Sequence, residues 1–217
     1  MIDIHNHLLY DIDDGPKTKE DTIEIIKSAQ EYEIYKIVAT PHYREGSYKV
    51  KGKKVKDKVN EINKIIKKKD LRVEIFPGNE IYITKNLVEK IKKEEILSIN
   101  DSKYILLELP IDHLPEYLNQ IFYDLNVLGD KPVVAHPERN REVIKNPDIL
   151  YNWVKDGIIF QLNAGSLFGV YGNKVKKTVF ELVDNYLVQV IVSDCHGISK
   201  AGLEWMIRAK KIGRYMW

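Results

Sequence analysis

Six histidines stand at positions 5, 7, 42, 113, 136 and 196 of this 217-residue chain. Five of them have the spacing and neighbours of metal ligands. His5 and His7 flank Asn6 in Asp-Ile-His-Asn-His. Side chains two apart on an extended strand share a face, so both imidazoles can reach one ion. His42 follows Ala-Thr-Pro, His136 lies between Val-Val-Ala and Pro-Glu-Arg, and His196 follows Ser-Asp-Cys. Carboxylates recur at equivalent places: Asp13 and Asp14 beyond the first histidine pair, then Glu80, Glu108 and Asp194. Five imidazoles with at least four carboxylates exceed the roughly four ligands of one zinc ion. The set predicts two or three ions, and its mixed nitrogen and oxygen donors suit Mn, Fe or Zn better than Ca or Mg. Any one strand-end histidine is more often a hydrogen-bonding residue; convergence of five on one face reverses those odds. His113, in Ile-Asp-His-Leu-Pro, reads as a loop residue.

A bridged metal cluster activates water at neutral pH and clamps attacking and leaving oxygens, which makes phosphoester hydrolysis the natural reaction class. Guanidinium groups bind phosphoryl oxygens bidentately. Arginine is scarce here, yet Arg139 and Arg141 closely follow His136, and Arg44 lies two residues after His42. Other phosphatase chemistries are excluded. Cys195 is followed at the sixth position by Ala201, not the Arg of a cysteine-nucleophile enzyme. There is no Gly-x-x-x-x-Gly-Lys loop and no Gly-x-Ser-x-Gly elbow.

Elements must bring these residues together. Short apolar runs at Ile2–Ile4, Ile37–Thr40, Val73–Phe76, Tyr104–Leu109, Pro132–Ala135, Ile158–Leu162 and Val188–Val192 read as seven buried strands. Helix-period faces lie between them: Ile25, Ile26, Ala29 and Tyr32; Val55, Val59, Ile62 and Ile66; Leu114 to Leu128; Val175 to Val183. This alternation implies parallel strands with crossover helices, in an open doubly wound sheet or a closed barrel. The five histidines fall at C-terminal strand ends, the face on which barrel active sites assemble. Without a linker, repeat or low-complexity tract, residues 1–217 read as one α/β domain. Net charge is +2 from 34 basic and 32 acidic residues, which argues against nucleic-acid binding by bulk charge. No apolar stretch approaches a membrane span and the N-terminus does not read as a targeting segment, so the cytoplasm is expected.

Seven blocks carry a family resemblance. They are Ile-Asp-Ile-His-Asn-His with Asp-Ile-Asp-Asp-Gly-Pro-Lys-Thr, Ile-Val-Ala-Thr-Pro-His, Phe-Pro-Gly-Asn-Glu-Ile, Leu-Leu-Glu-Leu-Pro, Ala-His-Pro-Glu-Arg-Asn, Asn-Ala-Gly-Ser-Leu-Phe-Gly-Val-Tyr-Gly and Ser-Asp-Cys-His. In this order, over about residues 1–197, they resemble the PHP (polymerase and histidinol phosphatase) superfamily. Within it they resemble the bacterial metal-dependent tyrosine-protein phosphatases of the CpsB/YwqE type. The resemblance implies a distorted TIM-like (β/α)7 barrel and a three-metal site, usually manganese. It implies His5, His7, Glu80 and Asp194 on one metal, Glu80, Glu108 and His136 on a second, and Asp14, His42 and His196 on a third. Arg139 would bind the phosphoryl group, with His42 and Asp194 as further catalytic residues, and a metal-bridging hydroxide would attack phosphorus. The implied substrate is phosphotyrosine on a tyrosine autokinase of capsule or exopolysaccharide synthesis. Tyr43, Tyr48 and Arg44 are the expected substrate contacts.

The resemblance stops after His196. Gly-Ile-Ser-Lys-Ala replaces the family's Arg-Pro loop, leaving Arg208 as the candidate second phosphate ligand. Residues 49–69 carry ten lysines against Asp57 and Glu61 and read as an amphipathic helix with a solvated basic face. A docking patch for an acidic phosphorylated tail is the functional alternative. Two other functions stay open: a histidinol-phosphate-type small-molecule phosphatase, and a weakly catalytic metal-binding regulator of the kinase.

Overall fold

The computed structural model of the chain describes residues 1–198 and 201–212. Residues 199–200 and 213–217 of the divergent tail lie outside the described residues.

Among the described residues nine strand segments occur: β1 Ile2–Asn6, β2 Lys36–Ala39, β3 His42–Tyr43, β4 Glu74–Pro77, β5 Glu80–Tyr82, β6 Tyr104–Glu108, β7 Lys131–Ala135, β8 Ile159–Asn163 and β9 Val190–Val192. Their pairings are all parallel, in two sheets ordered β1-β2-β4 and β3-β5-β6-β7-β8-β9. The helices are α1 Lys19–Glu31, α2 Gly52–Lys68, α3 Leu87–Lys92, α4 Leu118–Val127, α5 Arg141–Lys145, α6 Ile149–Lys155, α7 Ala164–Leu167, α8 Asn173–Asp184 and α9 Ala201–Ile212.

The seven apolar runs become nine segments because two strand paths are interrupted and resume. Thr40-Pro41 separates β2 from β3, and Gly78-Asn79 separates β4 from β5. Proline has no N–H to contribute to the ladder. The break is satisfied by Asn79, whose Nδ2 donates to the carbonyls of Pro41 and Val50 (both 3.1 Å) while its Oδ1 accepts from Leu97 N–H at 3.0 Å. The resumed segments begin on His42 and Glu80, so the interruption re-aims two candidate ligands. The two sheets also join at their outer strands. An isolated parallel bridge links Asn6 to Cys195, His7 N–H donates to Cys195 O at 2.9 Å, and Asp194 N–H donates to His5 O at 3.1 Å. The seven strand paths therefore form a ring, a distorted barrel.

Alternate strand residues face two clusters. Ile37, Ile75, Ile105, Leu107, Val134, Phe160, Leu162 and Ile191 join the large core under the helices. Val38, Leu106, Val133 and Ala135 form a smaller inner cluster with Ile99, from the turn before β6. That cluster fills the barrel interior, with His5, Glu80, Glu108 and His136 at the C-terminal strand ends beyond it. Helix α4 is shorter than its apolar pattern: Leu114 packs on the core from the preceding loop, and the cap residue Leu128 is exposed. Helix α2 buries Val55, Val59, Ile62 and Ile66, as the 3.6-residue period predicts. Among its flanking lysines, Lys51, Lys56 and Lys58 pair with Glu95, Asp101 and Glu61. Among the described residues no helix is long and apolar enough to cross a membrane.

The loop after β1 is held by a close approach. A Cβ on Gly15 would sit 2.1 Å from the His7 carbonyl oxygen. Gly15→Ala is therefore expected to destabilise the fold by about 1–3 kcal/mol or more and to displace the Asp13–Asp14 turn. Thermal unfolding together with metal content checks this.

Candidate metal centre

Five imidazoles converge at the C-terminal ends of the strands. His5, the penultimate residue of β1, and His7, just beyond it, are fully buried, with Nε2 atoms 3.1 Å apart. Glu80 Oε2 lies 3.4 Å from His5 Nε2 and 3.3 Å from His7 Nε2; Asp194 Oδ1 lies 3.4 and 3.6 Å from the same atoms. Ligand atoms of a tetrahedral ion with bonds of about 2.1 Å stand about 3.4 Å apart. His5, His7 and Glu80 are thus spaced as a ligand set, with Asp194 beside the same two rings.

A second group centres on the other side of Glu80. Its Oε1 lies 2.9 Å from His136 Nε2, and Oε2 lies 2.9 Å from His42 Nδ1, which is 3.7 Å from Glu108 Oε2. A third group surrounds Asp14 Oδ1, with His42 Nε2 at 3.6 Å, His196 Nε2 at 3.5 Å and His7 Nδ1 at 3.9 Å. His42 stands between the second and third groups. A neutral ring offers a lone pair from one nitrogen only, so it joins one group at a time.

The donor set fits metal ions on an independent observation. Glu108 Oε2 and Asp194 Oδ1 are buried and have no hydrogen-bond partner, and His42 Nδ1 is buried beside the Glu80 carboxylate at 2.9 Å. Such atoms are costly unless something else satisfies them, and all three face the interior of the cluster. Protons partly do the work of cations in the metal-free chain. Burial lowers the His5 pKa, but Glu80 and Asp194 more than offset it and raise it to about 9. Burial raises Glu80 and Asp194, yet the surrounding imidazoles hold both below the ordinary carboxylate range. Glu108 goes up, by burial and by the neighbouring Glu80. Metal uptake must displace the proton on His5. Apparent metal affinity is therefore expected to increase as pH rises from the ordinary histidine value of 6.5 to about 9, with proton release. Calorimetry in buffers of differing ionisation enthalpy measures it; pH-independent uptake would contradict it.

Outer residues fix the rings. His7 Nδ1 bonds Asp13 Oδ2 at 2.8 Å, and Asp13 also accepts backbone N–H from Gly15 and His42. Of the adjacent pair, Asp14 therefore faces the cluster and Asp13 orients His7 from behind. His5 Nδ1 bonds Gln161 Oε1 at 2.8 Å, and Asn163 Nδ2 donates to Asp194 Oδ2 at 2.5 Å. These partners set tautomer and aim. Gln161, Asn163 and Tyr171 were not picked out from the sequence. Two polar residues spaced by one in the otherwise apolar Ile-Ile-Phe-Gln-Leu-Asn were the available signal for the first two. His136 and Asp194 hold left-handed backbone, φ 34° and 48°, a conformation costing about 1–3 kcal/mol that recurs at functional sites.

A cavity of about 260 Å³ opens over the cluster, lined by Asp14, His42, Glu80, Glu108, His136, Asp194 and His196, and also by Arg44, Arg139 and Tyr171. Arg139 is partly exposed, 3.5 Å from Asp194 Oδ2 through Nη1, with its guanidinium 4.5 Å from the Tyr171 ring centre. Arg44 stacks on Tyr82 at 4.2 Å. Tyr48 lies nearly parallel to the His42 ring, 6.0 Å away, beside an adjoining cavity of about 420 Å³. Tyr43 does not reach either cavity. It follows His42 on the strand, so it points to the opposite face and is buried in the core with Lys90 over its ring. Arg141 is exposed at the first position of α5, which Asn140 caps, Arg208 pairs with Glu204 at 2.7 Å, and His113 is exposed against Asp112; none lines the cavity.

Comparison with known proteins bears on this arrangement. The family model for capsular polysaccharide synthesis, CpsB/CapC, matches residues 1–205. The chain is 42% identical to the tyrosine-protein phosphatase YwqE of Bacillus subtilis over 198 residues, 91% of this chain and 78% of that one. It is 30% identical to the tyrosine-protein phosphatase CpsB of Streptococcus pneumoniae over 203 residues, 91% of this chain and 84% of that one. Among solved structures, one from work on the metal-dependent tyrosine phosphatases YwqE and CpsB matches with TM-score 0.91 and 39% identity, covering 98% of this chain and 88% of the other. A Listeria monocytogenes structure described as a histidinol phosphatase shares the fold at TM-score 0.59 and 15% identity, covering 93% of this chain and 97% of the other. The chain belongs to the CpsB/CapC family of capsular polysaccharide synthesis.

Proposed function

We propose that this chain is a metal-dependent tyrosine-protein phosphatase, a hydrolase of phosphoric monoesters. The observation that carries the reading is the cavity lined by both Glu108 and Asp194, each with a buried, unpartnered carboxylate oxygen, and by Arg139. In this reading His5, His7, Glu80 and Asp194 hold one ion, Glu80, Glu108 and His136 a second, and Asp14, His42 and His196 a third. Manganese is the working metal, two to three ions per chain, with iron or zinc as substitutes. Ions bound there supply an activated water and charge neutralisation at the phosphoryl group.

The chain's own residues do the rest. Arg139 presents donors to the phosphoryl oxygens, steadied by Asp194 on one side and the Tyr171 ring on the other. Arg44 adds positive charge at the far wall, and Tyr48 borders the entrance beside His42. His42 and Asp194 belong to the catalytic set because they fix the ions against Arg139. Cys195 takes no part as a nucleophile: it is buried, and burial pushes its thiol up to about 11. The substrate in this reading is a phosphotyrosine protein, a bacterial tyrosine autokinase of capsule or exopolysaccharide synthesis. The chain 1–217 acts as one domain in the cytoplasm.

Rates on a phosphotyrosine peptide and on histidinol phosphate, measured side by side with metal present, test the reading. Faster turnover of the peptide supports it; faster turnover of histidinol phosphate replaces it with the small-molecule phosphatase.

A further inference from the structure

We infer that the space between the metal cavity and helix α9 is an aryl slot, with Trp205 as its specificity-determining residue. The inference rests on the phosphatase reading above and says where the substrate's ring goes. A cavity of about 340 Å³ adjoins the metal cavity and shares Tyr171, Asp194 and His196 with it. Its remaining wall is Val170, Trp205, Cys195 and Ser193, with Gly165, Gly197 and Gly202, which carry no side chain.

Two features build the slot. Trp205 is fixed, its indole stacked on Phe168 with ring centres 4.5 Å apart and covered by the Arg208 guanidinium at 4.7 Å. The floor at Gly165 leaves no spare room: a Cβ there would meet Val170 at 3.2 Å and Trp205 at 3.5 Å. On the opposite side, among the described residues, nothing lies within 4 Å of a Cβ position on Gly197. A monoester whose phosphoryl group lies against Arg139 places its next atoms at the Tyr171 wall, and a planar ring fits between Tyr171 and Trp205 where an alkyl chain gains little. The adjoining cavity on the other side is lined by Arg44, Glu45, Ser47 and Tyr48, whose charged groups and hydroxyls can hydrogen-bond peptide backbone. The divergent tail thus supplies an aromatic wall, and its arginine serves Trp205, not phosphate.

The test compares phenylphosphonate with methylphosphonate, neither of which is hydrolysed, by calorimetry on the metal-loaded full chain. Wild type is expected to favour the phenyl compound. Trp205→Ala is expected to weaken phenylphosphonate about tenfold and methylphosphonate less than about twofold. Gly197→Leu, which fills the slot without removing packing, is expected to act likewise, while Trp205→Phe keeps most of the preference. Thermal unfolding and metal content confirm that each variant is folded and loaded. No aryl preference in wild type, or equal losses for both ligands in Trp205→Ala and Gly197→Leu, overturns the slot. Aryl preference without hydrolysis of any phosphotyrosine peptide would leave the slot standing and remove the phosphatase reading.

Discussion

Replacing Glu80 by glutamine is expected to lower phosphotyrosine hydrolysis by more than about 100-fold and to remove at least one metal ion per chain. Mutations of residues behind a ligand cost about 10–100-fold in affinity or activity, and Glu80 stands in front. Its two oxygens lie within 3.4 Å of nitrogens on His5, His7, His42 and His136. Nearly the whole cluster is organised around one buried carboxylate. Glutamine keeps the shape but removes the charge and turns one oxygen into a donor facing imidazoles. The metal-free protein reports the same change differently. Glu80 is a leading cause of the raised pKa of His5, so in the variant His5 loses its proton at lower pH. Metal analysis, steady-state rates and imidazole titration by NMR measure all three. Full metal occupancy with wild-type turnover would sink the assignment.

Arg139→Ala is expected to lower kcat/KM for a phosphotyrosine peptide by about 10²–10³-fold while metal content stays near wild type. The guanidinium is the partly exposed cation nearest the cluster, and its one close carboxylate contact, at 3.5 Å to Asp194, leaves donors free. Asp194 keeps its hydrogen bond from Asn163, so the ligand set survives loss of the arginine. Arg139→Lys should recover only part of the rate, since an ammonium cannot bind two phosphoryl oxygens in the planar fork. If metal is lost in proportion to activity in Arg139→Ala, the residue holds Asp194 in place and does not bind phosphate.

The convergence of the histidines and carboxylates was legible because these residue types are distinctive and fall at strand ends. The apolar runs placed all the ring-forming strands, and each candidate histidine followed one. The finer division was not legible. Asp13 and Asp14 are adjacent carboxylates in one loop, and only the turn fixed by Gly15 decides that Asp14 faces the histidine cluster and Asp13 the back of His7. Tyr43 was expected near substrate by proximity to His42; the alternation of a strand sends it to the core. The interruptions at Thr40-Pro41 and Gly78-Asn79 depend on Asn79 reaching three backbone groups distant in sequence. Helices α5, α6 and α7 are too short for a helical period to register. Tyr171 lay in a block matched to the family, but its place against Arg139 comes from the turn between α7 and α8.

The most direct test of the central claim is phosphate release from a phosphotyrosine peptide by chelator-stripped protein, titrated back with manganese, iron or zinc. The account predicts no release from the stripped chain and recovery that saturates at two to three ions per chain, with manganese most effective. Full activity after complete stripping, or no activity with any metal bound, would contradict it.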